Sequence, residues 1–226
     1  MSPSGRDESI FRFLLEELVC LLGLFTAVTI GITMLLLGLG VSLGKQLSST
    51  PTTTSAIVAI FSLSGVLIGY SAVRERRKLR AWLNVSWRAI LIGTGGGIAM
   101  IAAGIVYEQL LERFGQQPPD IPALLTGILP FPLVLLIAAV MAPLGEELYF
   151  RGRLYDAVDS RFGAWTAACV TAMAFGLVHG VPIFIPVYVA LGLILAGLRR
   201  WTGGLVAPVT AHLLNNVLAV ILARAL

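Results

Sequence analysis

The sequence predicts an all-α polytopic membrane helix bundle, about seven transmembrane helices around an intramembrane polar cavity. Three observations carry that prediction. Of 226 residues, 57% are hydrophobic and 12% are charged, about half the ~25% charge of an ordinary soluble domain. Mean hydropathy is +0.90, and uncharged stretches recur that are long enough for the ~20 residues a helix needs to cross a ~30 Å hydrocarbon core. In the second half of the chain, a few ionisable residues fall inside such stretches. A soluble globular enzyme is excluded, as are a disordered chain, a collagen-like chain and a disulfide scaffold, the last because there are two cysteines only. The net charge of +4 comes from Arg and Lys in short loops, where membrane topology explains it, so no nucleic-acid partner is expected.

The spans run approximately Leu18 to Leu43, Thr54 to Val73, Ala89 to Tyr107, Ala123 to a polar exit near Asp156, Ala164 to Gly180, Pro182 to Leu198, and Leu205 to Ala223. The first seventeen residues mix Arg6, Asp7, Glu8, Arg12, Glu16 and Glu17 with Ile10, Phe11, Phe13 and Leu14, which suits a short interfacial helix. No cleavable signal peptide is expected, because the apolar stretch that follows is too long for one. Segments 46–55 and 115–122 read as outer loops, and Gly180-Val181-Pro182 as a sharp turn or kinked junction. The Gly93 to Gly97 run reads as close helix packing. Cys20 and Cys169 read as small packing residues.

Orientation follows the basic residues. The loop from Arg74 to Arg80, with Arg88 beyond it, is the strongest cytoplasmic marker. Alternating from it places the N-terminus, the Arg151 to Arg161 segment and Arg199-Arg200 on the same side. The expected location is the cell membrane, multi-pass, with a cytoplasmic N-terminus and a cavity open toward the cytoplasm. Membrane lipid is a partner, with anionic headgroups a minor addition at the basic loop.

An ionisable side chain inside a bilayer costs several kcal/mol and is a functional hypothesis by default. Glu146, Glu147 and Arg151 follow a run of hydrophobes, and the only two histidines, His179 and His212, lie in later spans. Glu147 and Arg151 at i,i+4 share a helix face and predict an ion pair, while Glu146 lies around the axis and is free to face a cavity. Phe175 and His179 share a face, as do His212 and Asn216. From the ~1.5 Å rise per residue, Glu146 lies on the order of 15 Å, His179 roughly 22 Å and His212 roughly 12 Å below the cytoplasmic boundary. A buried carboxylate beside an imidazole suits general-base activation of water, and an imidazole with a carboxamide on a third helix suits stabilisation of an oxyanion. The set fits amide hydrolysis.

At these residues the sequence resembles the CPBP family, the CAAX proteases and bacteriocin-processing intramembrane endopeptidases, also called the type II CAAX prenyl endopeptidase or ABI family. Its three motifs occur in order as Glu146-Glu147-x-x-x-Arg151, Phe175-x-x-x-His179 and His212-x-x-x-Asn216. The resemblance covers about residues 130 to 222 and divides the chain into 1–125, an interfacial segment and three variable flanking spans, and 126–226, a catalytic core. It implies that Glu146 activates the hydrolytic water with His179, that Glu147 and Arg151 hold the site together, and that His212 with Asn216 stabilise the oxyanion. The implied substrate is a membrane-associated or lipidated protein or peptide. A metal-independent glutamate peptidase is expected, with zinc on Glu146, His179 and His212 as the alternative. Competing functional classes are a non-catalytic scaffold or bacteriocin self-immunity protein of the same fold, and a proton-coupled transporter.

Overall fold

The computed structural model describes residues 3–38, 51–116 and 130–225. Its elements are α1 (Pro3–Gly38), α2 (Pro51–Arg74), α3 (Trp87–Arg113), a long fourth helix α4 (Phe131–Phe162), α5 (Ala164–Val178), α6 (Ile185–Thr202) and α7 (Val206–Ala225). Among the described residues there is no strand. The all-α membrane bundle predicted from sequence is present, with five described helices long and apolar enough to cross a membrane: 12–32 within α1, then α3, α4, 182–202 and α7. α5, at 15 residues, is a shorter apolar helix.

Several boundaries differ from the sequence reading. α1 is one continuous helix from Pro3, with no separate interfacial helix, since nothing in its sequence breaks the polar segment from the apolar one. Arg12 and Glu16 pair along it at 2.8 Å. Of the expected outer loop 46–55, residues 51–55 are the first turns of α2, which opens on Pro51 as proline allows at a helix start. Residues 46–50 and 117–122, the distal part of the first span from 39 to 43 and the start of the fourth from 123 to 129 lie outside the described residues. α4 continues as helix past the expected polar exit near Asp156 to Phe162, where Gly163 turns at φ +83°.

Small residues lie inside and large apolar ones outside, the arrangement that a lipid surround permits. Ala139, Ala167, Ala172, Ala196, Ala207 and Ala211 are buried, while Leu91, Ile98, Val106, Leu177 and Trp165 are exposed. The glycine run packs as expected: a Cβ on Gly93 would lie 2.5 Å from the Ala207 carbonyl and one on Gly97 3.0 Å from that of Ala211, so α3 and α7 touch backbone to backbone. The expected junction after α5 is a turn at Gly180 (φ +68°) followed by one 3₁₀ turn, Pro182–Phe184. The Tyr107 hydroxyl on α3 donates to the Ile183 carbonyl and ties that turn down. Cys20 packs against the core, whereas Cys169 faces outward and is not a packing residue.

α4 alternates between α and π geometry: Phe131–Val134 is α, Leu135–Met141 π, Ala142–Glu146 α, Glu147–Leu154 π and Tyr155–Phe162 α. Pro143 gives a local reason, because it has no N–H and its ring crowds the carbonyl four residues back. The wider π turn before it relieves that conflict, and the Ala142 N–H donates to Ile137, five residues back. π segments inside α-helices are frequent at functional sites.

One end of the bundle is fastened by charge. Glu17 of α1, buried, accepts from the Tyr70 hydroxyl (2.8 Å) and from Arg153 Nε (2.8 Å), and Arg153 also reaches Glu75 at 2.6 Å. Asp156 bridges Lys78 (3.1 Å) and Arg199 (2.9 Å). Burial works against the Lys78 ammonium, but Asp156 and Glu75 outweigh it and hold its pKa above the usual lysine range. α1, exposed along most of its apolar length, is thus held to α2 and α4 by buried charges.

Candidate active site

The sequence singles out six residues, and α4, α5 and α7 carry them. Glu147 and Arg151 form the expected i,i+4 ion pair, Nη1 to Oε1 3.0 Å, and neither side chain has any exposed surface. Arg151 also donates from Nη2 to the Gly192 carbonyl of α6 at 3.2 Å, and its guanidinium lies 4.4 Å over the Phe175 ring. Gly192 lets α6 lie close against α5, since a Cβ there would meet the Cα of Ala172 at 2.9 Å. The arginine therefore joins three helices.

His212 of α7 completes the arrangement. Its Nδ1 lies 2.8 Å from Glu147 Oε1, the oxygen that also takes Arg151, and its Nε2 faces Glu146 Oε2 at 3.8 Å. A carboxylate paired with arginine only accepts, so Nδ1 carries a hydrogen, and when the ring is neutral Nε2 is the bare nitrogen toward Glu146. The buried Oε2 of each glutamate has no hydrogen-bond partner; what separates the two is that the Glu146 side chain keeps some exposure, 19% against none for Glu147. Two adjacent carboxylates thus take different positions: Glu147 is enclosed and doubly engaged, Glu146 is open on one side.

His179 closes α5. Its Nδ1 lies 2.7 Å from the Phe175 carbonyl, which can only accept, so its Nε2 is also the unprotonated nitrogen when the ring is neutral. No hydrogen bond or ion pair among the described residues joins His179 to Glu146; the connection runs through Phe175. That ring, 2% exposed, stands edge-on to both imidazoles, at 4.6 Å from His179 and 5.6 Å from His212, and to Phe150 at 5.6 Å. Phe175 is the centre about which the site is assembled.

Asn216, one turn beyond His212, is turned toward α4. The π segment and Pro143 leave the Ala138 carbonyl without either helical donor, because Ala142 donates to Ile137 and residue 143 has no N–H. Asn216 Nδ2 donates to Ala138 at 2.9 Å, and its oxygen accepts from Asn215 at 3.1 Å. This contact is absent from the sequence reading, as is Tyr188, whose ring stacks on His179 at 4.1 Å and 27°. The available signal for Tyr188 is the i,i+4 series Phe184, Tyr188, Gly192 along one face of α6. Of the three residues in the zinc alternative, Glu146 and His212 face each other at 3.8 Å, and no group of three or more His, Cys, Asp or Glu that could hold a metal ion occurs among the described residues.

Helices packed through small residues around a buried Glu-Glu-Arg-His cluster define a multi-pass membrane protein with an intramembrane polar site. The comparisons show what that class of protein is similar to. Residues 128–218 match the family model described as type II CAAX prenyl endopeptidase Rce1-like. The chain is 26% identical over 152 residues to the Putative membrane peptidase YdiL of Bacillus subtilis (strain 168), covering 66% of this chain and 61% of that protein. It is 31% identical over 135 residues to the Membrane-embedded CAAX protease MroQ of Staphylococcus aureus (strain USA300), covering 56% and 55%. No solved structure matches the chain. Residues 128–218 are thus similar to a membrane endopeptidase family, and the chain spans somewhat over half the length of these two curated relatives.

Proposed function

We propose that the protein is an intramembrane endopeptidase that cleaves a membrane-associated or lipidated protein or peptide with water activated by Glu146. The observation that carries this reading is the unpartnered, buried Oε2 of Glu146 facing an imidazole whose other nitrogen is engaged by a carboxylate-arginine pair. Glu146 takes a proton from water as the oxygen attacks the scissile carbonyl, and that proton passes to the leaving amine as the C–N bond breaks. His179, with Nε2 bare, accepts a hydrogen bond from the same water and aims it. His212, backed by Glu147, can carry a second proton and then donates from Nε2 to the oxyanion. The second amide hydrogen of Asn216, beyond the one given to Ala138, is the other donor. Glu147 and Arg151 touch no substrate in this scheme and act as positioning residues.

The basic loop and the charged end of the bundle support an orientation with the N-terminus and the open side of the cavity toward the cytoplasm. The names of the two relatives, Putative membrane peptidase YdiL and Membrane-embedded CAAX protease MroQ, agree with peptide-bond hydrolysis. The test is to map new protein termini in membranes of matched cells making wild type or Glu146→Gln at equal, verified levels. Termini unique to wild type are expected; identical termini from both, in cells that need the protein, would contradict the reading.

A further inference from the structure

We propose that Tyr188 is a positioning residue for His179, fixing the imidazole so that Nδ1–H points to the Phe175 carbonyl and Nε2 stays bare toward the site. His179 caps α5 one residue beyond Val178, beside the Gly180 turn, and is partly exposed, so enclosure alone does not orient it. Three contacts do: the 2.7 Å bond from Nδ1 to Phe175, the edge of the Phe175 ring at 4.6 Å, and the face of Tyr188 at 4.1 Å and 27°. The first fixes which nitrogen carries hydrogen. The stack fixes the plane of the ring about that bond, which one hydrogen bond leaves free to rock.

Tyr188 is itself placed from several sides. Phe184, one turn earlier on α6, lies 5.8 Å from its ring. Gly192, one turn later, lets α6 meet α5 at Ala172, and Tyr107 ties the preceding turn to α3. The Tyr188 hydroxyl makes no hydrogen bond among the described residues, so the ring is the working part. The Nδ1–H form is the minor tautomer of a free histidine side chain in water, so holding it requires such contacts. The consequence for catalysis rests on the peptidase reading above, whereas the state of His179 does not.

Because the chain holds two histidines only, ¹⁵N-histidine labelling of the full chain in detergent micelles yields two imidazoles. Loss of one set in His179→Gln assigns His179. At a pH above imidazole titration, wild type and Tyr188→Phe are expected to show His179 as the Nδ1–H tautomer. Tyr188→Leu should raise its Nε2–H population severalfold while His212 stays unchanged and so reports an intact bundle. Should His212 change as well, Tyr188→Met, which keeps bulk without an aromatic face, is read by the same criterion. An unchanged His179 in the Leu or Met variant, or a Phe variant that behaves like Leu, overturns the proposal. With the substrate found by terminus mapping, kcat should fall on the order of tenfold in Tyr188→Leu with little change in KM, and stay near wild type in Tyr188→Phe. If the tautomer responds as expected and no variant cleaves anything, the positioning role stands and the peptidase reading fails.

Discussion

Arg151 carries the heaviest demand of any single side chain in this protein. It is fully buried, and it is compensated by Glu147 Oε1, the Gly192 carbonyl and the Phe175 face. Removing one member of a buried ion pair strands the other, at a cost of about 3–5 kcal/mol. Arg151→Met is therefore expected to lower the unfolding midpoint in detergent sharply; an unchanged midpoint would contradict the part assigned to the pair. Asn216→Ala gives a subtler test. If its amide satisfies the Ala138 carbonyl that Pro143 and the π turn leave without a helical donor, the variant loses about 1–3 kcal/mol. Asn216 acting solely on substrate would leave stability untouched. Residue-scale features within one helix were legible from sequence, since i,i+4 spacing pairs Glu147 with Arg151 and sets Asn216 beside His212. Contacts between helices were not. The Glu147 to His212 bond and the Tyr188 stack depend on how α4, α5, α6 and α7 cross, which the period of any one helix does not contain.

At the scale of elements, glycine decides where helices meet. Gly93 and Gly97 admit the α7 backbone, Gly145 faces the Ser64 carbonyl of α2, and Gly152 faces the Trp82 ring. Gly95, in the same run, has open space around it. Gly93→Val, which forces α3 away from Ala207, is expected to cost about 1–3 kcal/mol by overpacking, while Gly95→Ala should be neutral or slightly stabilising. Equal midpoints for the two variants would contradict the seam. The run announced close packing in the sequence, but which glycines touch depends on helix rotation. The π segments of α4 were hidden, apart from Pro143, because π geometry answers a local conflict and has no hydrophobic period of its own. α1 carries charges that suggested a separate interfacial helix, yet Glu17 is buried against Tyr70 and Arg153.

For the whole molecule, the sparse charges sort into two groups with different work. Glu17, Glu75, Lys78, Arg153, Asp156 and Arg199 fasten one end of the bundle. Glu146, Glu147, Arg151, His179 and His212 gather between α4, α5 and α7. Only scarcity marked the second group in the sequence, since a carboxylate or imidazole within an apolar span needs a reason; the first group sat at span ends, where charge is ordinary. The central claim is that Glu146 itself activates water. The most direct measurement uses purified full-length protein in liposomes with the substrate found by terminus mapping, comparing wild type, wild type treated with a zinc chelator, and Glu146→Gln. The account predicts cleavage by wild type with and without chelator and none by Glu146→Gln, whose His179 and His212 signals remain those of a folded site. Cleavage by the Gln variant, or activity lost to the chelator and restored by zinc, would contradict it.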